Sequence, residues 1–147
     1  MRIRSNLLIL ILAGALVGRL QGLHLEWSQL DRFGPKVKSF LELMQVEETE
    51  LDFQVRHNEI SRKEYTRSKN RIAVTRQTVL EMVKESGEDR VPELHVVVAS
   101  EVDQIVEGGV GALKGVKAGA IIDGKWRYAG TVTRGEPFYV FERQFEK

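Results

Sequence analysis

The hydrophobic pattern of this chain changes at Gly87, and that change constrains the fold more than any other feature of the sequence. Before Gly87 the apolar residues recur at helical spacing, which predicts amphipathic helices. After Gly87 they stand in short runs rich in valine and isoleucine, which predicts strands. Of the 147 residues, 42% are hydrophobic and 29% are charged, so the chain can bury a core. The sequence therefore predicts an α+β fold, with the helices first and the sheet second.

Local signals predict a long antiparallel helical hairpin over residues 35–86. Proline follows Gly34 at the first helical position, and Ser61-Arg62-Lys63-Glu64 forms a capping box at the start of the second helix. Gly87 supplies a glycine C-cap, and the short polar corner His57-Asn58-Glu59 joins the two helices. The apolar face of the first helix is predicted to consist of Val37, Phe40, Leu41, Met44, Leu51 and Val55. The opposite face is predicted to be acidic, with Glu47, Glu48, Glu50 and Asp52.

Residues 90–147 are predicted to form a second, small α+β domain with the order β-α-β-β-β. The β-branched run from Leu94 to Ala99 predicts a buried strand, and a helix is predicted over 101–114. Asp123-Gly124 lies between two further runs and favours a type I′ hairpin turn, and the last strand is predicted over 137–145. We expect the three final strands to form an antiparallel meander.

An apolar run near the N-terminus predicts export or membrane insertion. Arg2 and Arg4 precede an apolar stretch from Leu7 to Val17, which is the pattern of a secretory signal. The small residues that a signal peptidase needs occur only inside this run, so three interpretations stay open. Residues 1–25 are a cleaved signal peptide, an uncleaved membrane anchor with a transmembrane helix over 7–25, or a buried helix. The first two predict an exported protein, periplasmic or extracellular, or a membrane-anchored one.

The sequence contains no motif that predicts a catalytic, cofactor or metal site. Cysteine is absent, which excludes disulfides, thiol nucleophiles and thiolate metal ligands. The glycines around Lys114 follow a predicted helix rather than a strand, so they do not match a phosphate-binding loop. His95, near Glu93 and Glu101, is the remaining acid–base candidate. With a net charge of +1 the chain has no overall basic field, and nucleic acid is not an expected partner.

A basic run in the first half of the second helix has two interpretations. Its members include Arg62, Lys63, Arg67, Lys69 and Arg71. Ion pairs with the acidic first helix would make this run structural. Alternatively, the run is an electrostatic dock for anionic lipid headgroups or for an acidic partner.

Aromatic residues crowd the last two strands. Trp126, Tyr128 and Val132 are predicted to share one face of their strand, because side chains alternate between the two faces. On the last strand both faces carry bulky apolar groups, so either the helical hairpin covers the second face or an aromatic partner surface is left exposed. That possible partner surface consists of Tyr139, Phe141 and Phe145.

Together these features favour a non-enzymatic interaction protein, an accessory subunit of an envelope or membrane assembly that contacts a protein partner or forms a homo-oligomer. One alternative is a small-ligand-binding module that uses the C-terminal α+β domain, with its ligand in the groove between the sheet and helix 101–114. A second alternative is an enzyme with a His/carboxylate site around His95.

Overall fold

The computed structural model describes residues 31–145, and residues 1–30 and 146–147 lie outside the described part of the chain. The predicted signal peptide or anchor over residues 1–25 therefore lies outside it as well. Among residues 31–145, no helix combines the length and the apolar character that crossing a bilayer requires. From Phe33 onward the described residues form one compact unit of mixed helix and sheet.

Within residues 31–145 there are two long helices, two short helical segments and four strands. In chain order these are α1 (Pro35–Arg56), α2 (Arg62–Ser86), β1 (Leu94–Val98), a 3₁₀ helix (Ala99–Gln104), α3 (Gly109–Ala112), β2 (Ile121–Ile122), β3 (Trp126–Arg134) and β4 (Glu136–Arg143). The prediction of an α+β fold with its helices first is confirmed.

Helices α1 and α2 pack against each other as an antiparallel pair. Their relative direction follows from two side-chain contacts: Asp52 meets Tyr65 near the corner, and the earlier Glu48 meets the later Arg76. Buried apolar side chains lie on both helices, at Val37, Leu41 and Met44 of α1 and at Ile72, Val74, Val79 and Val83 of α2. The helical pair that the spacing of these residues predicts is therefore present.

The ends of α2 are set by its local sequence. Glu64 N–H donates to Ser61 Oγ at 3.1 Å, and Ser61 N–H donates to Glu64 Oε2 at 2.8 Å, so the predicted capping box is confirmed. Gly87 follows the helix at φ +70°, the left-handed conformation that glycine adopts without a steric penalty. Both signals act within a few residues, which is why the sequence alone predicts them.

The start of α1 is fixed by a residue that is distant in the sequence. Asp89, in the segment after α2, accepts the N–H groups of Lys36 and Val37, each at 3.0 Å. These are first-turn amides that have no partner inside the helix. A Cβ atom at Gly34 would lie 2.2 Å from Asp89 Cγ, so glycine leaves the space that the carboxylate occupies. Asp89 thus links the first turn of α1 to the segment that follows α2.

The four strands form one antiparallel sheet in the order β1-β4-β3-β2. Both faces of this sheet are covered. On one face Val74 of α2 packs on a cluster formed by Val96, Val98, Phe138 and Val140. On the other face the segment between β1 and β2 packs on the sheet, with Val102, Val106 and Leu113 against Tyr128 and Phe141. The sheet is therefore the middle layer of the compact unit.

Because β3 contains a bulge, its side chains are distributed over the two faces of the sheet differently from the prediction. Tyr128 pairs with Phe141, but Gly130 pairs with Val140, so one extra residue is inserted between them. Gly130 has φ +126°, which an L side chain rarely adopts. The insertion reverses the alternation, and Val132 joins the α2 side of the sheet whereas Trp126 and Tyr128 stay on the other side. The prediction that these three residues share one face is wrong.

The segment between β1 and β2 also differs from the prediction of one helix over 101–114. It consists of the 3₁₀ helix and the four-residue α3. Gly108, just before α3, and Gly109, its first residue, have φ of +88° and +59°, values that are incompatible with a continuous right-handed helix. Further on, Asp123 and Gly124 have φ of +51° and +67°, as the predicted type I′ turn requires.

Candidate functional site

The basic run of α2 is largely engaged in ion pairs with the sheet and its flanking segment. Arg67 donates to both carboxylate oxygens of Glu136, at 2.7 and 3.0 Å, and Arg71 donates to both oxygens of Glu101, at 3.0 and 2.8 Å. The hydrogen bond and charge of Arg67 lower the pKa of Glu136. Arg67 uses two nitrogens, the forked geometry that fixes orientation as well as charge, whereas Arg71 reaches both Glu101 oxygens through one terminal nitrogen. These two arginines therefore fasten α2 to the sheet side of the molecule.

Other charges of α2 are paired with α1. Arg76 lies 3.1 Å from Glu48, and Lys69 lies 3.5 Å from Asp52, whose carboxylate also accepts the Tyr65 hydroxyl at 2.7 Å. That hydrogen bond is the main reason the pKa of Asp52 is lowered. Glu48 and Asp52 thus contact α2, and their predicted place on the opposite face of α1 is wrong.

Of the five bases proposed as an electrostatic dock, Arg62 and Lys63 are exposed at the start of α2. The other three, Arg67, Lys69 and Arg71, are held by the carboxylates named above. A dock for anionic groups would have to break those pairs or rely on the two exposed side chains.

The aromatic residues of the last strand occupy three different environments. Phe141 is completely buried and its ring centroid lies 5.6 Å from that of Tyr128. Tyr139 is half-buried and packs on the same core cluster. Phe145, just beyond β4, is 68% exposed. Phe141 is thus core, and only Phe145 of the proposed aromatic partner surface is prominently exposed.

His95 lies at the end of the sheet where β1 begins. Its Nε2 is 3.5 Å from Glu93, and its ring meets the edge of Trp126 with centroids 4.7 Å apart. Arg143 contacts the same Glu93 carboxylate at 3.6 Å. The other predicted carboxylate neighbour, Glu101, instead pairs with Arg71. Within residues 31–145, no group of three or more histidine or carboxylate side chains is arranged to hold a metal ion.

A cleft of about 350 Å³ lies where the end of α2 meets the sheet. Glu142 forms one wall, and it is almost completely buried. Arg127 donates to Glu142 through Nε at 2.6 Å and through a terminal guanidinium nitrogen, and Arg90 lies 3.6 Å from its second oxygen. Since Glu142 is paired from both sides, its charge is compensated by Arg127 and Arg90.

A second, open groove of about 510 Å³ lies beside the edge strand β2. Its walls are mostly apolar, with Val106 and Val116 on one side and Ile121 and Ile122 on the other. Two acidic residues, Glu107 and Asp123, line it as well. This groove is the region in which the sequence predicts a small-ligand site.

Among the described residues, three of the exposed large apolar side chains lie on the outer side of α1, facing away from α2. Leu43, Val46 and Phe53 are 52%, 64% and 44% exposed. With Glu50 between the last two, their spacing of three, four and three residues places them in one line along the helix. We call these four residues the outer stripe. Phe53 also stacks on His57, with ring centroids 3.9 Å apart.

Acidic side chains surround the outer stripe. Glu42, Glu47 and Glu50 are exposed, and Gln54 donates to Glu50 at 3.2 Å. Arg56, at the end of the helix, instead donates to the backbone carbonyl of Asp52 at 2.9 Å. The sequence analysis did not predict this stripe, because it assigned the apolar residues of α1 to one buried face and the other side of the helix to acidic residues. The sequence signal that could have predicted it is a second series of apolar residues, Leu43, Val46 and Phe53, which lies on a different face from the buried residues of α1.

No family model matches the chain, and no curated protein or solved structure matches it significantly.

Proposed function

We propose that this protein is a non-enzymatic interaction subunit, exported or held at a membrane, whose contact surface is the outer stripe of α1. One observation carries the proposal: three large apolar side chains, Leu43, Val46 and Phe53, stand in line on the solvent side of a long helix. Single exposed apolar residues are normal on a protein surface, but several at helical spacing on one face of a helix are typical of an interface.

The geometry of the outer stripe also indicates how a partner would bind. A spacing of three and four residues is the arrangement by which helices pack side by side, with each apolar side chain entering a gap between residues of the neighbour. α1 offers about six turns of regular helix that are braced from behind by α2. A rigid helix loses little conformational freedom on binding, which favours its use as an interface.

The N-terminal segment supplies the proposed location. The apolar run from Leu7 to Val17, preceded by two arginines, supports a signal peptide or a transmembrane anchor over residues 1–25. In this proposal the anchor or signal, the helical hairpin over 35–86 and the small β-α-β-β-β unit over 90–147 follow one another along the chain. The exposed Phe145, Arg62 and Lys63 are further candidates for partner contact.

Site-specific cross-linking tests the contact surface, because the chain contains no cysteine. A Val46→Cys variant carrying a thiol-attached photo-cross-linker is expected to form an adduct of defined mass in the source cells. Ser100→Cys, exposed on the 3₁₀ helix, is the matched control and is expected to form none. The Val46 adduct should disappear when Leu43 and Phe53 are changed to serine. A monomer without an adduct at either position would overturn the proposal.

The location has its own test. N-terminal sequencing of the mature protein distinguishes a secreted form, which would begin beyond Gly22, from an anchored form that keeps the apolar run. Extraction with alkaline carbonate is expected to leave the anchored form in the membrane pellet. A protein found intact and in the soluble cytosolic fraction would exclude both export and anchoring.

The groove beside β2 favours a second candidate function, the binding of a small apolar ligand. Val106, Val116, Ile121 and Ile122 form an apolar lining, and Ile121 is 54% exposed at its mouth. Binding pockets for small molecules are typically apolar with a few polar groups, here Glu107 and Asp123. A hydrophobic fluorescent probe should bind the native protein, and Ile122→Glu should abolish the signal. Undiminished binding in that variant would exclude this groove.

A further inference from the structure

We infer that the partner of the outer stripe is an amphipathic helix whose apolar face is flanked by lysine or arginine. The inference rests on the proposed function above, and it adds the chemical class of the partner. Its basis is charge complementarity along α1: the exposed acids Glu42, Glu47 and Glu50 lie on or beside the stripe.

The acids lie where a neighbouring helix would place its flanking residues. When Leu43, Val46, Glu50 and Phe53 form the contact seam, Glu42 and Glu47 occupy the positions directly beside that seam. Residues at such flanking positions meet the flanking residues of the partner, and opposite charges there select the partner. Lysine and arginine also cover apolar surface with their aliphatic stems while the charged group reaches the acid.

Glu50, which lies within the contact seam, also requires a basic residue on the partner helix. A partner helix would bring its own seam residue against the Glu50 carboxylate and remove water from it. A carboxylate that loses water needs a hydrogen-bonding cation or another donor as compensation. A basic residue at the opposing position supplies that compensation and fixes the register of the two helices.

A second copy of α1 does not satisfy these demands. In a parallel pair, the two Glu50 carboxylates would meet at the same level of the seam, where like charges repel. In an antiparallel pair that sets Leu43 against Phe53, each Glu50 would be set against Val46, which offers the carboxylate no partner. The registers that align the outer stripe with a second copy of itself are therefore disfavoured, and a basic helix is favoured.

Two synthetic peptides of about three heptads test the inference. Both carry leucine at the seam positions, and they differ only in having lysine or glutamate at every flanking position. Binding to the immobilised full-length chain is measured by interferometry. The lysine peptide is expected to bind at least about tenfold more tightly, and the difference should shrink in about 0.5 M salt because screening weakens exposed charge pairs.

Matched variants distinguish binding of the peptide at the outer stripe from nonspecific binding elsewhere on the protein. Leu43→Ser combined with Phe53→Ser is expected to weaken the lysine peptide by at least about tenfold, from loss of apolar burial. Pro137→Ser removes an exposed apolar side chain on β4, outside both candidate surfaces, and should leave binding unchanged. Glu47→Lys combined with Glu50→Lys should reverse the preference, so that the glutamate peptide binds more tightly. Circular dichroism confirms that each variant is folded.

Four results would overturn the inference. The first three are equal affinity for both peptides, an unchanged preference after the charge reversal, and an equal loss of binding with Pro137→Ser. A dimer in light scattering that the Leu43→Ser and Phe53→Ser changes disperse would also overturn it, by assigning the stripe to a second copy. In that case the cross-link at Val46 would persist and the proposed function would stand. Absence of that cross-link would instead remove the proposed function.

Discussion

In the ion pair of Glu142 and Arg127 the two side chains are buried to different extents, so the stability lost depends on which partner is removed. The Glu142 side chain is 9% exposed, whereas the Arg127 side chain is 37% exposed. If the pair is broken, the arginine can regain water but the carboxylate cannot. An unpaired buried charge is far more costly than an unpaired exposed one. The two partners should therefore differ strongly when each is replaced.

We expect Arg127→Met to lower the free energy of unfolding by about 2–3 kcal/mol, because it leaves Glu142 buried with only the more distant Arg90. Glu142→Gln should cost about 1 kcal/mol, because the amide can still accept from Arg127. Urea unfolding followed by circular dichroism measures both. An equal or larger loss in Glu142→Gln would contradict the argument that unequal burial decides the cost.

Asp89 predicts a specific pH dependence. Its carboxylate accepts the N–H groups of Val37 and Lys36, and these hydrogen bonds lower its pKa below the ordinary value of 3.8. A pKa that is lower in the folded state adds stability above the unfolded pKa, and that stability is lost as the pH falls through the folded pKa. The melting temperature of Asp89→Ala should thus lie below that of the native protein at pH 7. The gap should narrow below about pH 4.

Thermal melts of both proteins between pH 7 and pH 3 measure this gap. Gly34→Ala should lower the melting temperature in the same way, because its methyl group would displace the Asp89 side chain. A gap that stays constant down to pH 3 would show that Asp89 stabilises α1 without its charge.

At the scale of elements, the bulge in β3 decides which side chains enter each half of the core. The insertion between Tyr128 and Gly130 sends Val132 toward α2 and keeps Tyr128 on the opposite face. Gly130 permits the bulge because its φ of +126° lies outside the range of L side chains. One glycine therefore allows a single strand to serve both layers.

Gly130→Ala should lower the free energy of unfolding by more than about 1 kcal/mol, since alanine is strained at this φ. Gly111→Ala is the matched control: Gly111 lies in α3 at an ordinary φ, and a Cβ there would meet open space. It should be neutral or stabilising by about 0.5–1 kcal/mol. Equal effects of the two substitutions in chemical unfolding would argue against strain at the bulge.

At the scale of the whole molecule, α2 is the element that joins the hairpin to the sheet. Val74 is buried in the sheet cluster, and Arg67 and Arg71 bind Glu136 and Glu101 on that side. On its other side α2 contacts α1. An element with buried contacts on both sides couples their stabilities, so the helices and the sheet should unfold together.

A Trp27→Phe variant tests this coupling because it leaves Trp126, in the sheet, as the only tryptophan. Its fluorescence should report the same urea midpoint as far-UV circular dichroism, which is dominated by the two long helices. Two separate midpoints would favour the prediction that residues 35–86 and 90–147 are distinct domains.

The sequence by itself determined the features that depend on neighbouring residues. The capping box at Ser61, the glycine cap at Gly87 and the turn at Asp123-Gly124 each rest on hydrogen bonds or backbone preferences within a few positions. The two long helices likewise follow from the spacing of apolar residues along one segment. Local rules of this kind are readable from one chain.

The tertiary structure decided everything that depends on which distant segments meet. Glu48 and Asp52 form ion pairs because basic residues of α2 face them, and Phe141 became core because the segment after β1 covers its side of the sheet. The outer stripe is a candidate surface only because α2 occupies the opposite side of α1. Exposure is a property of the packed molecule, and no local pattern specifies it.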